Sequence, residues 1–175
     1  MEAVSLTAST ATTGQPVSSQ GTIEDNDGTP QASISGPGVV DEAAGTVTHT
    51  VKLTNPSSKT VSVGYGTEDV TAEAGSDFQS STGTLTFAPG ETEKQIVVRI
   101  NDDAQYEGSE NFKVTLVNPS AGVALATGAA SVTTAIVDDG TGLPPGGGTP
   151  NDDRPRVSGV SSPSAAEGQP LVFQV

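Results

Sequence analysis

Between Thr46 and Thr54 apolar and polar side chains alternate without a break. Val47, His49, Val51 and Leu53 fall on one parity, and Thr46, Thr48, Thr50 and Lys52 on the other. A period of two places the sets on opposite faces of an extended strand, whereas a helix would spread both around its axis. Related runs fill the centre of the chain: a first, around Ile34 and Val39, is interrupted by Gly36-Pro37-Gly38, and the Thr46–Thr54 run is the second. Later runs present Val61, Val63 and Tyr65; Leu85 and Phe87; Ile96, Val98 and Ile100; Phe112, Val114 and Leu116; and Val132 with Ile136. These seven short runs, divided by turn residues, predict an all-β chain folded as an immunoglobulin-like antiparallel β-sandwich of about seven strands.

Internal echoes bound that unit. Gly21-Thr22-Ile23-Glu24-Asp25-Asn26-Asp27-Gly28 reads like Thr134-Ala135-Ile136-Val137-Asp138-Asp139-Gly140, and the segment from Pro30 to Gly45 is echoed from Pro155 to Gly168. Residues 1–29 are therefore expected to be the tail of a preceding repeat, 30–140 a complete one and 157–175 the head of the next. The stretch 141–156 reads as a Gly/Pro-rich linker, with no apolar face to bury. Val4, Leu6 and Ile23, with Leu171, Phe173 and Val175, would belong to incomplete flanking strands and support weak self-association.

With 21 acidic against 7 basic residues the formal net charge is −14, so nucleic acid and anionic membranes are repelled and cations attracted. No apolar run reaches membrane-spanning length, which argues against direct insertion. Met1-Glu2-Ala3 does not open a signal peptide, so any export signal is expected outside this piece.

The acids are unevenly placed. In a seven-stranded up-and-down chain the connections after the first, third and fifth runs, and the exit from the seventh, share one end. Those segments carry Asp41 and Glu42; Glu68, Asp69, Glu73 and Asp77; Asp102, Asp103 and Glu107, with Glu110 entering the sixth run; and Asp138 with Asp139. The opposite end holds only Glu91 and Glu93, with Lys59 and Lys94 nearby. Gathered carboxylates repel unless their pKa values rise or a cation joins them. Calcium suits such an oxygen-rich site; magnesium is stricter in geometry, and zinc lacks cysteine and has only one histidine available.

Several ordered motifs resemble a known family. Val61-Ser-Val-Gly-Tyr-Gly-Thr67, Ala74-Gly-Ser-Asp-Phe78, Gly83-Thr-Leu-Thr-Phe-Ala-Pro-Gly-Glu-Thr92, Ile100-Asn-Asp-Asp103, Tyr106-Glu-Gly-Ser-Glu-Asn-Phe112 and Ile136-Val-Asp-Asp-Gly140 together make residues 32–140 similar to a Calx-beta repeat. Such repeats are found in sodium–calcium exchangers, an integrin β subunit and very large bacterial surface proteins. The resemblance implies Ca²⁺ ligands at Glu42, Asp77, Asp102, Asp103, Glu107, Asp138 and Asp139. Gly140 replaces a third acid in the last cluster, and Asn101 stands where an acid is often found, which implies fewer or weaker sites.

No Gly-x-Ser-x-Gly elbow, P-loop or His-Glu-x-x-His motif is present, and the lone His49 sits on an apolar parity, where packing is the expected role. The chain is thus expected to be no enzyme but a calcium-binding extender repeat of a large extracellular or cell-surface bacterial adhesin. Its partners would be calcium ions and neighbouring repeats of the same chain. Two other readings stay open: a calcium-sensing regulatory domain of a transporter or receptor, and a carbohydrate-binding or carbohydrate-active module, the latter disfavoured by the absence of tryptophan.

Overall fold

The computed structural model describes residues 28–138, together with Arg154, Pro155, Val157, Gly159 and Glu167. Most of the flanking echoes and of the Gly/Pro-rich linker, the residues of the strands proposed for self-association, and Asp139 lie outside the described residues. Among the described residues nine strands follow in order: β1 (Gln31–Ser35), β2 (Val39–Asp41), β3 (Thr46–Leu53), β4 (Val61–Asp69), β5 (Thr82–Phe87), β6 (Glu93–Arg99), β7 (Ser109–Val117), β8 (Ala124–Leu125) and β9 (Ser131–Val137). One sheet has the order β6-β3-β1-β8 and the other β2-β9-β7-β4-β5. Both turn their apolar parity inward: Val47, Val51 and Leu53 of β3 and Ile96 and Val98 of β6 share a core with Val61 and Val63 of β4 and Phe112, Val114 and Leu116 of β7. The sandwich and its alternation are those expected.

The interrupted first run becomes two strands in different sheets. β1 pairs antiparallel with β3, the chain crosses between the sheets at Gly36-Pro37-Gly38, and β2 continues beside β9. Gly36 is required there by close approach, since a Cβ at that position would overlap the His49 imidazole. His49 is buried, as its parity predicts, and its Nε2 lies 2.9 Å from Thr134 Oγ1. Thr134 in turn donates to Pro37 O at 2.9 Å, so the imidazole supplies the proton of the first bond. This chain of two bonds ties β3, the crossover and β9 together across the interior.

Two features depart from the expectation. β8 is a two-residue strand with no alternation to betray it, and two strand pairs, β1 with β8 and β2 with β9, run parallel. The parallel pairing of β2 follows from the crossover, because the segment changes sheet without reversing direction. The chain enters beside the β3–β4 connection, where Thr54 N donates to Gln31 O, and leaves from β9 at the other end of the sandwich. Among the described residues no helix is long and apolar enough to cross a membrane.

Candidate metal centre

Four segments deliver carboxylates to the end from which β9 exits. At the close of β2, Asp41 is extended (φ −74°, ψ 142°) and its Oδ1 accepts from Ala43 N at 2.9 Å. That cap starts a single 3₁₀ turn, Glu42–Ala44, which Gly45 ends at φ 69°. The turn buries Glu42, whose Oε1 accepts from Asp103 N at 3.2 Å and so touches the β6–β7 loop.

The β4–β5 loop is tied down twice. Thr71 N and Ala72 N donate to Asn111 O at 3.0 and 2.9 Å, and Phe78, fully buried, stacks on Phe112 with ring centroids 4.8 Å apart. Asp77 precedes this anchor and is only 8% exposed; its Oδ2 accepts from Glu73 N at 2.6 Å, and its N–H donates to Glu73 O at 3.0 Å. In the β6–β7 loop Asp103 Oδ1 accepts from Gln105 N at 2.7 Å, and Gln105 Nε2 donates to Glu107 Oε1 at 2.9 Å. Glu110 shares the inward parity of Phe112, Val114 and Leu116 on β7, and Asp138 continues that of Thr134 and Ile136 on β9. Strand geometry therefore aims both acids into the mouth of the sandwich.

Glu42, Asp77, Glu107, Glu110 and Asp138 line one cleft, with Gly108 and Ile136 completing its wall. Asp77, Glu107 and Glu110 each place an oxygen within 4.8 Å of the others. Two oxygens on opposite sides of one Ca²⁺ ion lie at most about 5 Å apart, so this spacing fits a shared hard cation. The electrostatics bear the same mark. Burial pushes the Glu42 carboxyl up to about 7; the Asp103 N–H opposes that rise, and the charges of Asp138, Asp103 and Asp102 add to it. Glu110 is also pushed to about 7, by burial first, then by its hydrogen bond with Asp77 and the charges of Asp77, Glu107 and Glu73. Three lysines are engaged elsewhere, Lys52 with Glu93 (3.0 Å), Lys94 with Glu91 (2.9 Å) and Lys113 with Glu68 (2.7 Å).

Of the seven residues implied by the resemblance, Glu42, Asp77, Glu107 and Asp138 meet at the cleft. Asp102 and Asp103 are exposed beside it and act on Glu42 through their charges, and Asp139 is outside the described residues. Glu68 is drawn away by Lys113, and the Asp69 Oδ1 accepts from Ala74 N at 3.2 Å, so neither joins the cleft lining. The implied ligand set omitted Glu110. The signal that finds it is its parity with Phe112, because an acid on the inward parity of a strand end is directed toward the mouth of the sandwich and not its outer face.

The Calx-beta domain family model matches residues 13–141. Sodium/calcium exchanger 1 of Canis lupus familiaris is 49% identical over 82 residues, which is 44% of this chain and 8% of that protein. Sodium/calcium exchanger 2 of Homo sapiens is 49% identical over 61 residues, 35% of this chain and 7% of that protein. The matches thus span less than a tenth of these relatives' length. Among solved structures, the apo-form Calx CBD1 domain is similar with TM-score 0.60 and 35% identity, covering 64% of this chain and 99% of that one. CBD12 from CALX1.2 gives TM-score 0.59 and 36% identity over 62% of this chain and 45% of that chain. Through the family match, the sandwich and the shared architecture, the chain belongs to the Calx-beta domain family.

Proposed function

We propose that this chain is a calcium-binding, non-catalytic module whose Ca²⁺ ligands are drawn from Glu42, Asp77, Asp102, Asp103, Glu107, Glu110, Asp138 and Asp139. The observation that carries the reading is the convergence of carboxylates from four separate segments on one cleft. A related solved chain is itself described as the calcium binding domain CBD12 of CALX1.1. Calcium would supply the positive charge this end needs and, by joining loops that are otherwise far apart in sequence, would lock the sandwich mouth. Calorimetric titration with CaCl2 should show saturable binding, and Asp77→Asn together with Glu110→Gln should abolish or greatly weaken it. A heat signature unchanged by that double substitution would move the site elsewhere.

Within that reading, the module serves as an extender repeat of a large extracellular surface protein, bound to neighbouring repeats of the same chain and stiffened by calcium. Entry and exit at opposite ends of the sandwich support serial joining, as do the Gly/Pro-rich linker and the sequence echoes on either side. The competing reading is a calcium sensor acting on a transporter, favoured by relatives named as sodium/calcium exchangers. Affinity separates them. Extracellular modules bind at about 0.1–1 mM and sensors at about 0.1–10 µM.

A further inference from the structure

Asn101 follows Ile100, which bridges to Phe78, and it opens the loop that carries Asp102, Asp103 and Glu107. Its side-chain nitrogen donates to two carbonyls of the β4–β5 loop, Gly75 O at 3.0 Å and Ser76 O at 2.6 Å. Its backbone N–H donates to Asp77 O at 2.9 Å. One residue thereby collects three consecutive carbonyls of the segment that presents Asp77. Gly75, at φ 103°, makes the turn that aligns them, and its own N–H donates to Phe78 O at 2.7 Å. Carbonyls only accept, so the position calls for a donor. An aspartate of nearly the same shape would offer two acceptors and a negative charge to the same oxygens.

We propose that Asn101 is a positioning residue for the cation site: by stapling residues 75–77 to the β6–β7 loop it holds the Asp77 carboxylate against Glu107 and Glu110. It does so as an amide, and a carboxylate in its place would undo the arrangement. An acid at this position is then not a missing ligand, and the loss of one does not mean a weaker site. The proposal rests on the calcium reading above, and its test distinguishes the two.

In calorimetric titration with CaCl2, Asn101→Ala should weaken binding roughly tenfold, as expected for loss of hydrogen bonds that hold a ligand loop. Asn101→Asp should weaken it at least as much, although it adds a carboxylate beside the cluster. In an Asp77→Asn background, removing the Asn101 side chain should cost nothing further, because the staple acts through Asp77. Thermal melts verify that each variant is folded. Tighter binding by Asn101→Asp, unchanged binding by Asn101→Ala, or losses that simply add to those of Asp77→Asn would overturn the proposal. A readout without metal stands beside these. Amide exchange at Glu73 and Asp77 should quicken in Asn101→Ala while β7 stays protected, and unaltered exchange would sink the staple on its own. A wild-type chain that ignores calcium would remove the calcium reading and leave the exchange experiment to decide the staple.

Discussion

Glu42 and Glu110 sit at the same mouth, burial is the first cause of the rise to about 7 in both, and different neighbouring carboxylates add to it, so both titrate where calcium binding is measured. Their folded-state pKa values, about 7, exceed the ordinary 4.5, so the metal-free fold binds protons more tightly than the unfolded chain. The stability they contribute is complete below about pH 4.5 and is lost as pH rises through about 7. His49 runs the other way. Burial lowers its pKa from 6.5, so its contribution is present above that value and is lost as pH falls below it. Calcium requires ionised carboxylates, so at the proposed site it would have to expel the protons of the two glutamates. Titrations near pH 6.5 in buffers of different ionisation enthalpy should therefore reveal about one proton or more released per binding event, vanishing well above pH 7. Affinity should fall as pH drops from about 7 toward 4.5. Heats independent of the buffer at pH 6.5 would mean that these carboxyls are already ionised in the metal-free fold.

At the scale of elements, the crossover from β1 to β2 decides where Glu42 goes, and one buried hydroxyl holds it. Thr134→Val keeps the shape of the side chain but leaves Pro37 O without its donor and the His49 Nε2–H without its acceptor. Each buried orphan costs about 1–3 kcal/mol, so urea unfolding should show a loss of at least that size, with Thr134→Ser close to wild type. A neutral Thr134→Val would show the network to be incidental. The strands of the core were legible because their parity is clean: every inward residue from Val47 to Leu53 and from Phe112 to Leu116 is buried as the alternation requires. The acidic end was legible too, since the parity of connections depends only on the number of strands and the split of β1 from β2 keeps both pieces running the same way. β8 was not, being two residues set by pairing with Gln31 and Ala32 and not by a pattern of its own. Nor could turn counting tell Glu68 from Asp77, because a partner across the sheet, Lys113, decides the first and an aromatic anchor, Phe78, the second.

For the molecule as a whole, the path of the chain sets how a load would travel. In an extender, tension would enter at β1 and leave at β9, at opposite ends of the sandwich, and the continuation of β1 is β2, which lies parallel to β9 through Val39 opposite Ala135, Val40 opposite Ile136 and Asp41 opposite Val137. Parallel strands pulled from opposite ends are sheared, so their hydrogen bonds resist together instead of opening one at a time. The cleft adjoins this clamp, with Glu42 just beyond β2 and Asp138 just beyond β9. An ion shared by those carboxylates would tie the two strand ends side to side, adding its linkage energy, about 2.7 kcal/mol at a free concentration 100 times the dissociation constant, to the element under shear. In single-molecule pulling, the unfolding force of the described domain should rise in calcium relative to chelator, and Asp138→Asn should remove most of the difference. The extender reading needs that gain, because a repeat whose mechanical strength ignores calcium could bind the ion and still not be stiffened by it.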